Sequence, residues 1–216
     1  MSQPINKNIE MTNPYTIIED CSPYYIRFTH DGIDKIVDIC KQELTNISIE
    51  NLFTHHKCGS EVANKILDLV PMSTQFSLMD ARVSIFVTQP GYYYRPHKDG
   101  ADHRISLNYA IQILDNDCVT SWYSDEDLSE YRVTGLINNT PGWKNPSREV
   151  EGFNKFQHTP IKSMTAQPNE CLLFNTDIFH DFDNSNSQNV RAVLTLRIRN
   201  PGIHYFDDVK KTLFGL

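Results

Sequence analysis

Apolar positions recur along this chain with two different periods. After Asp31, placed as an N-cap, Ile33, Ile36, Val37, Cys40 and Leu44 return every three or four residues and predict one buried helix face. A second such run begins at Ser60 and carries Val62, Ile66, Leu67 and Val70 inward, predicting a shorter helix that ends before Pro71. From Ala81 the period becomes two, as in strands buried on one side. Residues 82–87 predict one strand, and 92–97 a second after the Pro90-Gly91 turn. In the long strand 104–114, Ile105, Leu107, Tyr109, Ile111 and Ile113 share a face. Asp115-Asn116-Asp117 reads as a turn and 118–123 as the return strand. Further strands are expected within 152–167, at 171–174 after the Pro168-Asn169 turn, along 175–182 and at 191–199. Residues 1–25 are polar and punctuated by proline, an irregular arm or a first edge strand.

Many short strands separated by turns predict a mainly β fold, a sandwich or jelly roll, with the two helices packed behind a sheet. At 216 residues the chain suits one domain. Residues 1–80 then form an arm and supporting helices of that domain, and 81–216 its β core. The polar stretch 124–158, with Asn138-Asn139, Pro141-Gly142-Trp143 and Pro146, is expected as an insertion outside the β core, covering one end of it.

Charge and cysteine usage narrow the partners. A net charge of −7 argues against a general nucleic-acid binder, whose footprint is basic. Five scattered cysteines without a CxxC motif suit a reduced, cytoplasmic protein. No apolar run approaches a membrane span, and no signal peptide is read at the beginning.

The candidate chemistry begins at His97-Lys98-Asp99. Residues two apart on a strand share a face, so His97 and Asp99 reach one point while Lys98 turns away. With the distant His180 they supply two imidazoles and a carboxylate, the facial ligand set of non-haem Fe(II), which leaves adjacent positions open for a co-substrate and O2. Arg191 follows at the start of an alternating strand.

This layout resembles the 2-oxoglutarate/Fe(II)-dependent oxygenases, whose pattern is His-x-Asp/Glu, a distal His, and a basic residue about ten positions beyond it. The segments Pro96-His97-Lys98-Asp99, Arg104-Ile105-Ser106-Leu107-Asn108, Phe174 to His180 and Arg191-Ala192-Val193-Leu194 are most similar to the aspartyl/asparaginyl β-hydroxylase type. The likeness covers roughly residues 82–202. Asp99 departs from that type, which lacks the triad carboxylate, so its peptide substrate does not transfer. The resemblance implies a double-stranded β-helix (a cupin-like jelly roll), with Fe(II) held by His97, Asp99 and His180 and the far carboxylate of 2-oxoglutarate held by Arg191. The implied reaction is hydroxylation of a small molecule or peptide side chain, with succinate and CO2 as co-products.

A hairpin turn over 184–188 would set Arg191 across from His180 and carry Arg197 about 20 Å further along, at about 3.3 Å per residue, beyond the reach of a chelated co-substrate. Ser106, Asn108 and Arg104 share the polar face of their strand and are expected beside the metal, with Tyr94 lining the site. Trp122 and Tyr123 are expected in the core. His55-His56-Lys57-Cys58 lacks a partner pair for zinc, and His30, His103, His158 and His204 are expected at the surface. Two rival functions fit the same residues: a demethylase of alkylated nucleic acid, and a metal-binding cupin-like module without turnover.

Overall fold

The structure, a computed structural model, describes residues 13–71, 78–99, 104–113, 117–131, 133–135, 148–198 and 205–216, with backbone alone for 78–82, 133–135 and 148–149. His103, His204, Asn138-Asn139, the Pro141–Trp143 and Pro146 positions, Asp115-Asn116 and the first twelve residues lie outside the described residues.

Strands β1 (Thr16–Cys21) and β2 (Tyr25–Thr29) come first, then helix α1 (Ile33–Leu44), β3 (Phe53–Lys57) and α2 (Ser60–Leu67). Ten strands follow: β4 (Leu78–Thr88), β5 (Tyr92–Lys98), β6 (Ile105–Gln112), β7 (Val119–Tyr123), β8 (Val133–Gly135), β9 (Arg148–Val150), β10 (Lys162–Met164), β11 (Cys171–Asn175), β12 (Phe179–Asn184) and β13 (Arg191–Ile198). Helix α3 (Phe206–Phe214) comes last.

They build two antiparallel sheets, ordered β1-β2-β11-β6-β13-β4-β3 and β10-β7-β12-β5-β9-β8. The central strands β11-β6-β13-β4 and β10-β7-β12-β5 form the two halves of a jelly roll, the chain crossing from one sheet to the other as it winds. The expected double-stranded β-helix is therefore the fold. Gly91, at φ +80, makes the tight turn from β4 to β5, and Asn169, at φ 61, the turn before β11.

Period-two alternation decides what each face of β6 meets. Ile105, Leu107, Tyr109 and Ile111 are buried in one core with Ile33, Ile36, Val37 and Cys40 of α1 and Ala63 and Ile66 of α2. Helix α1 packs on β6 and α2 on β4, behind the larger sheet as their patterns predicted. Burying each such aliphatic side chain contributes about 1.5–3 kcal/mol. The N-cap of α1 is Gly32 rather than Asp31. A Cβ there would stand 2.4 Å from the Leu69 carbonyl oxygen, so the close approach of the start of α1 to the turn that follows α2 requires glycine. No helix among the described residues is long and apolar enough to cross a membrane.

Three elements were not expected. Strand β2 lies between β1 and β11, β3 extends the larger sheet beside β4, and α3 adds Phe206, Val209, Leu213 and Phe214 to the main core. The insertion also differs from expectation. Its strands β8 and β9 join the smaller sheet, β9 pairing with β5 at His97↔Glu149, and Leu128 and Val150 pack with Tyr123 and Phe179. Without β9 that side of β5 would be an open edge, a row of unbonded backbone groups that favours pairing.

Candidate functional site

A cavity of about 410 Å³ lies between the two sheets. His97 of β5 and His180 of β12 are cross-strand partners on its wall, with ring centroids 4.3 Å apart, and both are buried. The Nδ1 of His97 is 3.0 Å from the Arg95 carbonyl oxygen, and that of His180 is 2.9 Å from the Ile178 carbonyl oxygen. A carbonyl only accepts, so each Nδ1 must carry the hydrogen and each Nε2 keeps its lone pair. Burial pulls both imidazoles below the usual histidine range, His180 to about 3, against the opposing pull of Asp99. Both rings are neutral at pH 7, the form that binds metal.

Asp99 lines the same cavity, and its backbone N–H donates to the Thr176 carbonyl at 3.1 Å, tying the end of β5 to the turn before β12. Lys98 points away, its Nζ 2.7 Å from Asp125 and 4.6 Å from the Phe179 ring centroid, as alternation requires. Among the described residues no three His, Cys, Asp or Glu side chains close into a complete metal cluster. The fold presents an imidazole pair with a carboxylate on the same cavity wall.

Strand β13 turns Arg191, Val193, Thr195 and Arg197 into the cavity. Arg191 pairs with Thr88 at one end and sets its guanidinium 5.1 Å from the Phe182 ring. The hairpin expected over 184–188 does not form, because β12 and β13 belong to opposite sheets. The connection crosses the sandwich, so a one-sheet register does not apply. Arg197 is therefore not remote from the histidines: it lines their cavity, and its charge lowers the basicity of His97 and of His55.

Ser106 and Asn108 face the cavity as expected. Ser106 Oγ and Asn108 Oδ1 are buried with no hydrogen-bond partner, the condition of groups that a ligand would satisfy. Tyr94 also lines the cavity, its ring 4.2 Å from that of His97 and 5.2 Å from Phe182. Arg104 does not line it. It precedes the first residue of β6, outside the alternation that aims Ser106 inward, and lies 3.8 Å from Asp177 and 5.8 Å from the Tyr205 ring.

Sequence reasoning missed His55. It lies on β3 within the cavity, stacks on Phe86 at 4.6 Å, and has its Nε2 3.0 Å from Ser84 Oγ. Partial desolvation by the cavity walls, with the charges of Arg197 and His56, pulls its imidazole down to about 4, although the ring keeps an exposed side. The alternation of Phe53, His55 and Lys57 was the available signal. Phe53 reaches the same cavity and lies nearly parallel to Tyr94, at 6° and 5.7 Å between centroids. Asp181 was also missed. Its carboxylate accepts from Tyr123 at 2.7 Å, Tyr93 at 2.9 Å and the Ser121 amide at 3.1 Å, clamping β12 to both neighbouring strands. Burial pushes that carboxyl up to about 6.

Trp122 and Tyr123 are core residues as expected. His30 is not at the surface: it is buried with its Nε2 3.0 Å from the Tyr109 hydroxyl. His158 bonds the Tyr131 hydroxyl.

No protein-family model matches the chain, and no curated protein matches it in sequence. Its fold is similar to that of HygX from Streptomyces hygroscopicus with nickel and 2-oxoglutarate bound, at TM-score 0.50 and 8% identity over 84% of each chain. Two further HygX structures match at 8% identity. The apo form has TM-score 0.48 over 84% of this chain and 83% of that one. The form with nickel, 2-oxoglutarate and hygromycin B bound has TM-score 0.47 over 84% of each. The likeness is one of fold, and it runs through most of both chains.

Proposed function

We propose that this protein is a 2-oxoglutarate- and Fe(II)-dependent dioxygenase that hydroxylates its substrate and releases succinate and CO2. The observation that carries this reading is the buried pair of neutral imidazoles, each with its Nδ1 hydrogen committed to a backbone carbonyl. Such second contacts orient a histidine for metal through Nε2.

The residues fit the group in their chemistry. His97, His180 and Asp99 would hold Fe(II), an open two-imidazole, one-carboxylate set. Arg191 would pair with the far carboxylate of 2-oxoglutarate, whose planar oxygens match a guanidinium fork. Ser106 and Asn108 supply buried polar atoms that await a partner inside the cavity. When bound, Fe(II) and 2-oxoglutarate supply the oxidising power of O2 for a C–H bond of the substrate. The chain itself orients and shields: Tyr94 and Phe182 narrow the space beside His97. HygX, with a similar fold, was solved with nickel and 2-oxoglutarate bound, which supports a divalent metal and 2-oxoglutarate as the pair held here.

Anaerobic titration with Fe(II), with and without 2-oxoglutarate, tests the reading through the weak visible charge-transfer absorption. The band is expected only with both present. Iron binding without any band on adding 2-oxoglutarate would leave a metal-binding module and end the proposal. His97→Ala, Asp99→Ala and His180→Ala are each expected to lose the band while keeping the wild-type circular dichroism. Full retention in any one removes that residue from the ligand set.

A further inference from the structure

Alternation along β5 breaks once, between Tyr94 and His97. The ladder to β12 sets His180 opposite His97 and Phe182 opposite Tyr94, so the single residue Asp181 faces the two residues Arg95 and Pro96. The extra residue makes a β-bulge, where proline, with no N–H to give a ladder, is tolerated. By strict alternation Tyr94 and His97, three apart, would face opposite sides of the sheet. Both line the cavity, because the bulge resets the period just before the imidazole. At the bulge the Arg95 carbonyl oxygen accepts from His97 Nδ1 at 3.0 Å, the contact that leaves the lone pair on Nε2.

Buried Asp181 stands across from this bulge, directly after His180 in β12. Its carboxylate accepts from Tyr93 at 2.9 Å, on β5 just before the bulge. From β7 it accepts from Tyr123 at 2.7 Å and the Ser121 amide at 3.1 Å. One side chain thus ties three strands together beside one imidazole and opposite the kink that aims the other.

Resting on the proposed function, we infer that the Arg95–Pro96 bulge and the Asp181 brace across it form the positioning element of the metal site. The bulge turns His97 and Asp99 into the cavity. The brace, with Tyr93 and Tyr123, fixes the two imidazoles, whose ring centroids are 4.3 Å apart. Without the extra residue β5 would pair one to one, and either Tyr94 or His97 would leave the cavity. The Tyr94 side is the better anchored: Asp181 holds Tyr93, and Tyr92 and Tyr94 each lie nearly parallel to the Phe53 ring at 5.7 Å. The end carrying His97 and Asp99 is therefore the one that turns out.

The test titrates Co(II) into the metal-free full-length protein, with calorimetry for affinity and visible absorption for ligand geometry. Asp181→Ala should weaken Co(II) by roughly 10–100-fold, the loss typical when an outer support of a metal ligand is removed, and should change the absorption. Asp181→Asn, which keeps an acceptor for Ser121, should recover most of that affinity, with Tyr93→Phe and Tyr123→Phe between the two. Deletion of Pro96 should abolish Co(II) binding while the β-sheet circular dichroism remains. If the deletion variant fails to fold, the Asp181 and tyrosine variants decide alone. Ile36→Ala lowers stability from the helix layer behind the larger sheet and should bind Co(II) as wild type does, which separates positioning from stability. The inference is overturned if Asp181→Ala or a folded Pro96 deletion keeps wild-type affinity and absorption. It is overturned equally if Ile36→Ala weakens Co(II) as much as Asp181→Ala does. A wild-type protein that takes up no Co(II) overturns it together with the proposed function. Co(II) binding that follows the expected pattern, with no band from Fe(II) and 2-oxoglutarate, supports the inference and ends the proposed function alone.

Discussion

Asp181→Asn should remove a pH dependence built into the sheet behind the site. Asp181 is 2% exposed, and burial raises its carboxyl from 3.8 to about 6, against the lowering pull of the Tyr123, Tyr93 and Ser121 hydrogen bonds. A carboxyl with a raised folded pKa binds its proton more tightly in the fold than in the unfolded chain. Its contribution to stability is therefore complete below pH 3.8 and is lost as pH rises through about 6. That span corresponds to about 3 kcal/mol. Asparagine has no charge to desolvate. Its oxygen can accept from the Ser121 N–H and its NH2 can face the two tyrosine oxygens, with a pH-independent cost of about 1 kcal/mol for each impaired bond. The stability of the variant relative to wild type should thus rise by about 3 kcal/mol from pH 3.5 to pH 7.5. Buried His30 and the cavity-lining His55, both pulled down to about 4, lose stability as pH falls from 6.5, but they titrate alike in both proteins and cancel in the difference. Urea unfolding of the metal-free proteins at stepped pH reads that difference directly. A difference that stays flat across the range would refute burial as the controlling force on Asp181.

Amides of β9 should exchange slowly in the metal-free protein, because β9 is hydrogen-bonded to β5 at His97 and Lys98. Free exchange there by hydrogen–deuterium mass spectrometry would restore the picture of the whole insertion as a cover outside the β core. Ile36→Ala, at a fully buried position in the main core with β6, should cost about 2–5 kcal/mol in urea unfolding. A loss under about 1 kcal/mol would mean that α1 contributes little to holding the larger sheet.

The sequence pattern determined the local structure well. Ile33, Ile36, Val37 and Cys40 marked the buried face of α1, and the alternation through Ile105, Leu107 and Tyr109 marked that of β6. The same alternation put Ser106 and Asn108 on the cavity face, and it aimed His97 and Lys98 in opposite directions. Period two states that neighbours face apart, and this holds wherever the strand lies. Only the tertiary structure decided which sheet each strand joins. Arg191 and Arg197 were separated by treating β12 and β13 as one hairpin, yet the two strands lie in opposite sheets and both arginines line one cavity. His55 entered the site because β3 pairs with β4, and Asp181 became a clamp because Tyr93 and Tyr123 flank it from β5 and β7. Those pairings join residues distant in the chain, and they are chosen by the summed burial and hydrogen bonding of whole sheets. A local period records which side of a strand is buried, but not the partner that buries it.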